Sequence, residues 1–157
     1  MTTAIHDTPL GPLTLAASDA GITKASFRGR SSPETGDGQQ WIDQARRELD
    51  EYFAGTRTRF TVPVDLRRVE PEHRAVLDAL DTVDYGETTT YGTIAAALGM
   101  VDDGPRRVGV ALARNPVLIL VPCHRVVGAT GSLTGYAGGL DAKRRLLDLE
   151  SGKLALL

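Results

Sequence analysis

Apolar and polar positions fall into blocks along this chain, and the blocks change character near residue 68. Two short apolar runs, Leu13 to Ala17 and Ile22 to Phe27, flank the turn-forming Ser18-Asp19-Ala20-Gly21, which predicts an antiparallel hairpin. Residues Gly29 to Gln40 are rich in Gly, Ser and Pro and read as a loop. From Trp41 the spacing becomes helical: Trp41, Ala45, Leu49 and Tyr52/Phe53 recur on one face as far as Ala54, and Gly55 ends the run. Phe60 to Val64 has strand character, with Pro63 assigning it to a sheet edge. Beyond Asp65 to Glu70 helical patterns take over. Pro71 occupies a favoured first helical position ahead of an apolar stripe of Ala75, Val76, Ala79 and Leu80, and Asp84-Tyr85-Gly86-Glu87 makes a turn. Thr90 can cap a helix from Tyr91 to Leu98 that Gly99 stops, and Pro105 opens another over Arg106 to Arg114, closed by Asn115-Pro116. Val117 to Val121 is wholly apolar and strand-like. Turn residues follow at Gly128-Ala129-Thr130-Gly131 and Gly135-Tyr136-Ala137-Gly138-Gly139, and a last helix starts at Leu140.

The pattern therefore predicts an α+β protein in two units. Residues 1–67 form a small N-terminal unit, an antiparallel sheet plus a helix, and residues 68–157 form a mainly helical unit. Its two tandem helices, the second bearing arginines, suggest helix-turn-helix geometry.

Composition narrows the picture. With 157 residues, 41% apolar and 24% charged, the chain has material for a packed core and an ordinary charged surface. Its single cysteine excludes an internal disulfide and a cysteine-cluster zinc site. Neither a leader pattern nor a membrane-length apolar segment is visible, so a reducing cytoplasm is the expected location. The net charge of −2 argues against wholesale coating of nucleic acid, but charge is unevenly placed. Between residues 106 and 145 the cations Arg106, Arg107, Arg114, Arg125, Lys143, Arg144 and Arg145 face the single anion Asp141. A solvated helix face explains such a cluster without function; a polyanionic partner would give it one.

The lone cysteine, Cys123, ends the apolar run in Val121-Pro122-Cys123-His124-Arg125. A thiolate is the attacking form and a free thiol ionises near ~8.5, so a nucleophilic cysteine needs a base or a positive charge beside it. His124 can supply the base, directly or through water, and Arg125 can favour the anion. The alternative reading is a buried cysteine acting as a small hydrophobe. The tetrapeptide alone leaves both open. His6 and His73 have no motif partner.

Six spaced motifs between Tyr85 and Glu150 add specificity. They are Tyr85-Gly86-Glu87 with Thr90-Tyr91-Gly92, Arg106-Arg107-Val108-Gly109, Asn115-Pro116-Val117, Pro122-Cys123-His124-Arg125-Val126-Val127-Gly128, Gly131-Ser132-Leu133-Thr134-Gly135-Tyr136 with Gly138-Gly139-Leu140, and Leu146-Leu147-Asp148-Leu149-Glu150. In this order and at these intervals they resemble the O6-alkylguanine-DNA alkyltransferases, the methylated-DNA–protein-cysteine methyltransferase family. Pro9-Leu10-Gly11-Pro12-Leu13 and Leu49-Asp50-Glu51-Tyr52-Phe53-Ala54-Gly55 extend the likeness more loosely into the first unit.

The resemblance implies irreversible, stoichiometric transfer of an alkyl group from O6 of guanine, everted from duplex DNA, to Cys123. O4-alkylthymine is a further conceivable substrate, the protein is expected to act as a monomer, and no cofactor or metal is implied. His124 and Glu150 match a relay that removes the thiol proton through a water, and Tyr91 matches a phenol donating toward N3 of the base. Arg106 matches the arginine that fills the gap left by the flipped nucleotide, with Thr90, Arg107, Gly109 and Arg125 as the other DNA-binding candidates. Val126, Tyr136, Ala137 and Gly138 match the substrate pocket, in which a carbonyl at Cys123 or Val126 accepts from the exocyclic amine. Asn115 matches the hinge tying the recognition helix to the cysteine segment. Three departures stand out: Ala137 where many members carry Ser or Gly, the unusual Pro71-Glu72-His73-Arg74-Ala75-Val76-Leu77 opening, and Asp102 and Asp103 ahead of the arginine helix, where anions oppose DNA. Two rival readings are a damage sensor that binds without transfer, which would lack the acceptor cysteine, and a cysteine hydrolase, which would need an oxyanion hole.

Overall fold

Three strands open the chain: β1 (Thr2–Thr8), β2 (Gly11–Ser18) and β3 (Gly21–Ser26), joined in sequence order as an antiparallel meander. The computed structural model describes residues 1–29 and 32–153. Residues 30 and 31 of the predicted Gly29–Gln40 loop, and the last four of the predicted 68–157 unit, lie outside the described residues. β2 and β3 coincide with the predicted hairpin, while β1 was not foreseen. Its partner register runs from Thr2 opposite Ala17 to Thr8 opposite Gly11, so Pro9 and Leu10 form the turn. One face of the meander, carrying Leu13, Leu15, Ala17, Ile22 and Ala25, is sealed by α1 (Gln39–Phe53) through Ile42, Ala45, Leu49, Tyr52 and Phe53. Helical spacing makes this stripe, and burial of such side chains stabilises by about 1.5–3 kcal/mol each.

The free edge of β3 carries the second half of the chain. Ile22 N donates to Pro63 O at 2.8 Å and Asp65 N donates back to Ile22 O at 2.8 Å. Ala25 N donates to Pro116 O and Leu118 N to Ala25 O, both at 2.9 Å. The predicted strand Phe60–Val64 is thus reduced to a single bridge at Val64. Glu48, buried on α1, explains why: its carboxylate accepts from Thr61 N at 2.7 Å, Thr61 Oγ1 at 2.6 Å and Val62 N at 3.1 Å. A side chain takes the backbone donors that a ladder would have used.

The rest is helical. α2 (Pro71–Ala79) runs into a 3₁₀ turn at Leu80–Thr82 and buries His73, Val76, Leu77 and Leu80, whereas the expected stripe residue Ala75 faces outward. β4 (Thr89–Thr90) leads into α3 (Tyr91–Ala97), capped by Thr90 Oγ1 accepting from Thr93 N at 3.1 Å, and then α4 (Gly104–Ala113). Gly104 lets the two helices meet: a Cβ there would lie 2.7 Å from that of Ala95. A second 3₁₀ turn, Cys123–Arg125, continues into β5 (Val126–Val127), which pairs in parallel with β4, and α5 (Leu140–Glu150) closes the described fold. One buried apolar cluster extends from Leu13 on the sheet to Leu149 on α5.

Val117–Val121 is not the strand its apolar run predicted. Val117 bridges Ala25, then the chain reverses so that Leu118 bridges Val121, with Ile119 at φ 72°. A β-branched residue in the left-handed region costs about 1–3 kcal/mol and persists only where its surroundings impose it. Here they do. Asn115, buried at the end of α4, donates Nδ2–H to Val121 O at 3.1 Å and accepts from Val117 N on Oδ1 at 2.9 Å. One side chain thereby clamps both ends of the turn.

Candidate active site

Pro122 and the clamped turn deliver Cys123 to the start of its 3₁₀ turn, where the thiol is 4% exposed. It sits at the floor of a cavity of about 740 Å³ that opens to solvent. α3 contributes Tyr91, α4 contributes Arg106 and Gly109, and the glycine-rich loop contributes Thr134, Tyr136 and Ala137. Most of that exposed wall is apolar, as a site for a flat heteroaromatic base would require. Tyr91 Oη and Thr134 Oγ1 are hydrogen-bonded across the mouth. Gly138 lies behind the wall, where a Cβ would meet the Tyr136 ring at 2.6 Å, so the absence of a side chain sets how that ring packs.

On the far side of the thiol lies a chain of charge. His124, fully buried, is hydrogen-bonded through Nε2 to Glu150 Oε2 at 2.7 Å. Its Nδ1 is buried with no partner among the described residues. Glu150, at the last position of α5, also accepts from Arg125 Nε on Oε1 at 2.8 Å and from Arg125 Nη2 on Oε2 at 3.2 Å. Burial works to raise the Glu150 pKa, but the bonds and charges of His124 and Arg125 outweigh it and hold the carboxyl at about 2. An ionised carboxylate on Nε2 selects the tautomer with its proton there, which leaves Nδ1 as the acceptor. Cys123 moves the other way. Burial pushes its thiol up to about 11, against smaller opposing effects of the Asn115 amide and the Lys143 charge. At neutral pH the resting sulfur is protonated, so a base must act as the electrophile arrives.

The geometry sorts the expected residues. Cys123, Tyr91, Arg106, Gly109, Tyr136 and Ala137 meet at one cavity, and His124, Glu150 and Asn115 stand behind the thiol. Arg106 is a surface side chain, 81% exposed, with Nη1 3.5 Å from Asp103 Oδ2. Arg107 also lies on the surface, tied to the Glu72 carboxylate and to Asp102 O, and Thr90 serves as the α3 cap. Asp102 and Asp103 are exposed beside these arginines.

Two expectations need correction. Arg125 is not a DNA-facing charge: it is buried, bonded to Glu150 and to Val83 O at 2.7 Å, and lies over the Tyr85 ring at 6.0 Å. Val126 does not line the cavity; it is fully buried, with its carbonyl accepting from Lys143 Nζ at 2.6 Å. The Cys123 carbonyl accepts from Val126 N in the same turn.

Three participants escaped the sequence reading. Lys143, counted as a surface cation, is buried with Nζ bonded to Val126 O and, at 3.2 Å, to Thr134 O. Arg28, just beyond β3, reaches the cavity rim. Tyr52, assigned to the core stripe of α1, donates its hydroxyl to Glu150 Oε2 at 2.6 Å. Helical spacing reports that such a side chain is inside, not which polar atom its hydroxyl meets. Among the described residues, no cluster of three or more His, Cys, Asp or Glu side chains is placed to hold a metal ion, and no helix is long and apolar enough to cross a membrane.

Known proteins resemble this chain over nearly its whole length. Residues 71–152 match the family model of the 6-O-methylguanine DNA methyltransferase DNA binding domain, and residues 1–66 match that of the ribonuclease-like domain of the same proteins. A methylated-DNA–protein-cysteine methyltransferase of Mycobacterium tuberculosis is 43% identical over 155 residues, covering 94% of this chain and 90% of the relative. One from Methanosarcina acetivorans is 43% identical over 152 residues, covering 94% and 96%. The crystal structure of M. tuberculosis OGT in complex with DNA superposes with a TM-score of 0.82 at 43% identity, over 95% of this chain and 92% of that one. With family models matching both halves of the chain and relatives 43% identical over most of its length, the chain belongs to the 6-O-methylguanine DNA methyltransferase family.

Proposed function

We propose that this protein repairs DNA by direct reversal, moving the alkyl group of O6-alkylguanine from a flipped-out nucleotide of the duplex to Cys123 in one irreversible step. The observation that carries the reading is the buried thiol at the floor of an open, largely apolar cavity, backed by the His124–Glu150 pair. In the step, Sγ forms a bond to the alkyl carbon while the carbon–O6 bond breaks and O6 keeps the electron pair. The thiol proton passes through a bridging water to Nδ1 of His124, the buried nitrogen with no partner among the described residues. The imidazolium so formed is stabilised by Glu150, the logic of a catalytic triad. Tyr91, on the cavity wall, donates toward N3 and neutralises the charge pushed into the ring as O6 leaves. No second nucleophile follows, and a thioether carbon is inert, so each molecule acts once.

Recognition of DNA falls to α4. Arg106 projects from its first turn and fills the space vacated in the stack, its planar guanidinium able to stack and hydrogen-bond together. Gly109, whose missing Cβ would make only ordinary 3.8 Å contact with Tyr91, is not demanded by the fold; its smallness serves close approach to the sugar-phosphate wall. Asn115 couples α4 to the cysteine turn. Residues 1–67 are the scaffold unit and residues 68–157 the DNA-binding and acceptor unit. A thiol that must stay reduced suits the cytoplasm.

Intact-mass spectrometry after incubation with an O6-methylguanine duplex tests the proposal. One methyl adduct on Cys123 is expected, and none on Cys123→Ser. Binding without an adduct would instead indicate a damage sensor, and multiple turnover a hydrolase.

A further inference from the structure

We propose that Tyr52, supplied by α1 of the N-terminal unit, is a positioning residue of the thiol-activating relay, so that this unit does more than support the fold. The inference rests on the function proposed above. Tyr52 and Glu150 are 98 residues apart, yet the phenol Oη lies 2.6 Å from Glu150 Oε2, and both groups are buried. A carboxylate offers about four acceptor sites, and those of Glu150 take four donors. Oε2 receives Tyr52 Oη–H, His124 Nε2–H and Arg125 Nη2–H, and Oε1 receives Arg125 Nε–H. A carboxylate held this way cannot rotate, which fixes the ring it orients.

The phenol also tunes that carboxylate. Burial, and then the Glu150 charge, push the Tyr52 pKa well above its ordinary value, so the hydroxyl is a donor throughout the working range. By sharing the negative charge on Oε2 it limits how tightly Glu150 holds a protonated His124. The other groups around the carboxylate are His124 and Arg125 from the 3₁₀ turn, Tyr85 from the loop ahead of β4 and Tyr136 from the glycine-rich loop, and Lys143 and Tyr136 lie around the Cys123 thiol. Of these groups, Tyr52 alone among the described residues comes from the first 67 positions. Its ring is held edge-on to Phe53 at 5.2 Å and Tyr85 at 6.2 Å, and tilted on Phe60 at 5.2 Å, so its hydroxyl is aimed without rotamer freedom.

Tyr52→Phe removes the hydroxyl and keeps the ring. Single-turnover alkylation by the full chain, followed across pH, tests the role with an O6-methylguanine duplex and with free O6-benzylguanine. We expect the variant to react about tenfold more slowly near neutral pH with both substrates, because the lost bond acts on the thiol rather than on DNA. The acid limb of its pH–rate profile should move to higher pH, since a less satisfied carboxylate retains the imidazolium longer. In a Glu150→Gln background the same substitution should cause no further loss. A ring-fluorinated tyrosine at position 52, a stronger donor of nearly the same shape, should move the acid limb the opposite way. The proposal is overturned if Tyr52→Phe leaves rate and profile at wild-type values, if its effect persists undiminished beside Glu150→Gln, or if fluorination leaves the profile in place. Absence of reaction in the wild-type protein would refute the alkyl-transfer reading instead.

Discussion

Asn115 shows how much geometry one amide can hold. Its two hydrogen bonds pin both ends of a turn whose Ile119 is in an unfavourable conformation, directly ahead of the cysteine. Asn115→Ala leaves the buried Val117 N–H without its partner and Val121 O with Cys123 N as its remaining donor, and a loss of about 1–3 kcal/mol is expected from the denaturant midpoint. Alkylation by the folded fraction should slow as well, because the turn no longer has a single shape. At this scale the sequence was most legible where chemistry is local. Cys123 and His124 are adjacent, and the family resemblance carried by the last motif set Glu150 beside them, as the 2.7 Å contact shows. Spacing could not show Tyr52, because a tyrosine on an apolar stripe looks the same whether or not its hydroxyl meets a carboxylate. Nor could it show that Arg125 and Lys143 are buried, since charge counting does not distinguish a solvated cation from one paired or bonded inside.

Among the elements, those with a strong period or a cap were readable: α1 by its stripe, α3 by Thr90, α4 by its proline start and its asparagine end. β1 was missed because Thr2-Thr3-Ala4-Ile5-His6-Asp7-Thr8 alternates weakly and is fixed by its partner β2 rather than by its own pattern. The Val117–Val121 run misled for the opposite reason. Five apolar residues state that the segment is buried, and the Asn115 clamp decides that it turns. α4 divides its labour cleanly, with Val108, Ala111 and Leu112 inside and Arg106 almost wholly exposed. Arg106→Ala should therefore leave the melting temperature near the wild-type value. Its reaction with an O6-methylguanine duplex should fall by about tenfold or more, while the rate with free O6-benzylguanine stays the same. Equal losses on both substrates would remove the arginine from its gap-filling role.

The molecule as a whole joins a sheet to a helical unit along the β3 edge and across the Tyr52–Glu150 contact, and two buried groups, Glu150 at that contact and Cys123 at the cavity floor, give it a pH dependence on either side of neutrality. Glu150, held at about 2 against an ordinary 4.5, contributes stability that is complete above pH 4.5 and is lost as the pH falls toward 2. Cys123, raised from 9.0 to about 11, keeps its proton in the folded state after the unfolded chain has lost it. Stability should thus decline from pH 9 toward 11 by up to ~1.4 kcal/mol per pH unit from this group. Denaturant midpoints measured across pH should show both flanks, and Cys123→Ala should remove the decline that begins near pH 9, leaving the acid flank and the steeper fall above pH 10 from buried Tyr52 and Tyr136. The same sunken, protonated sulfur has a consequence for the lifetime of the protein. Peroxides and stray electrophiles in water consume exposed thiolates first, so a reagent good for one reaction has most to lose to them. With its proton retained and its approach narrowed to a cleft shaped for a nucleobase, the acceptor can wait in a chemically hostile solution and still be unspent when damage arrives.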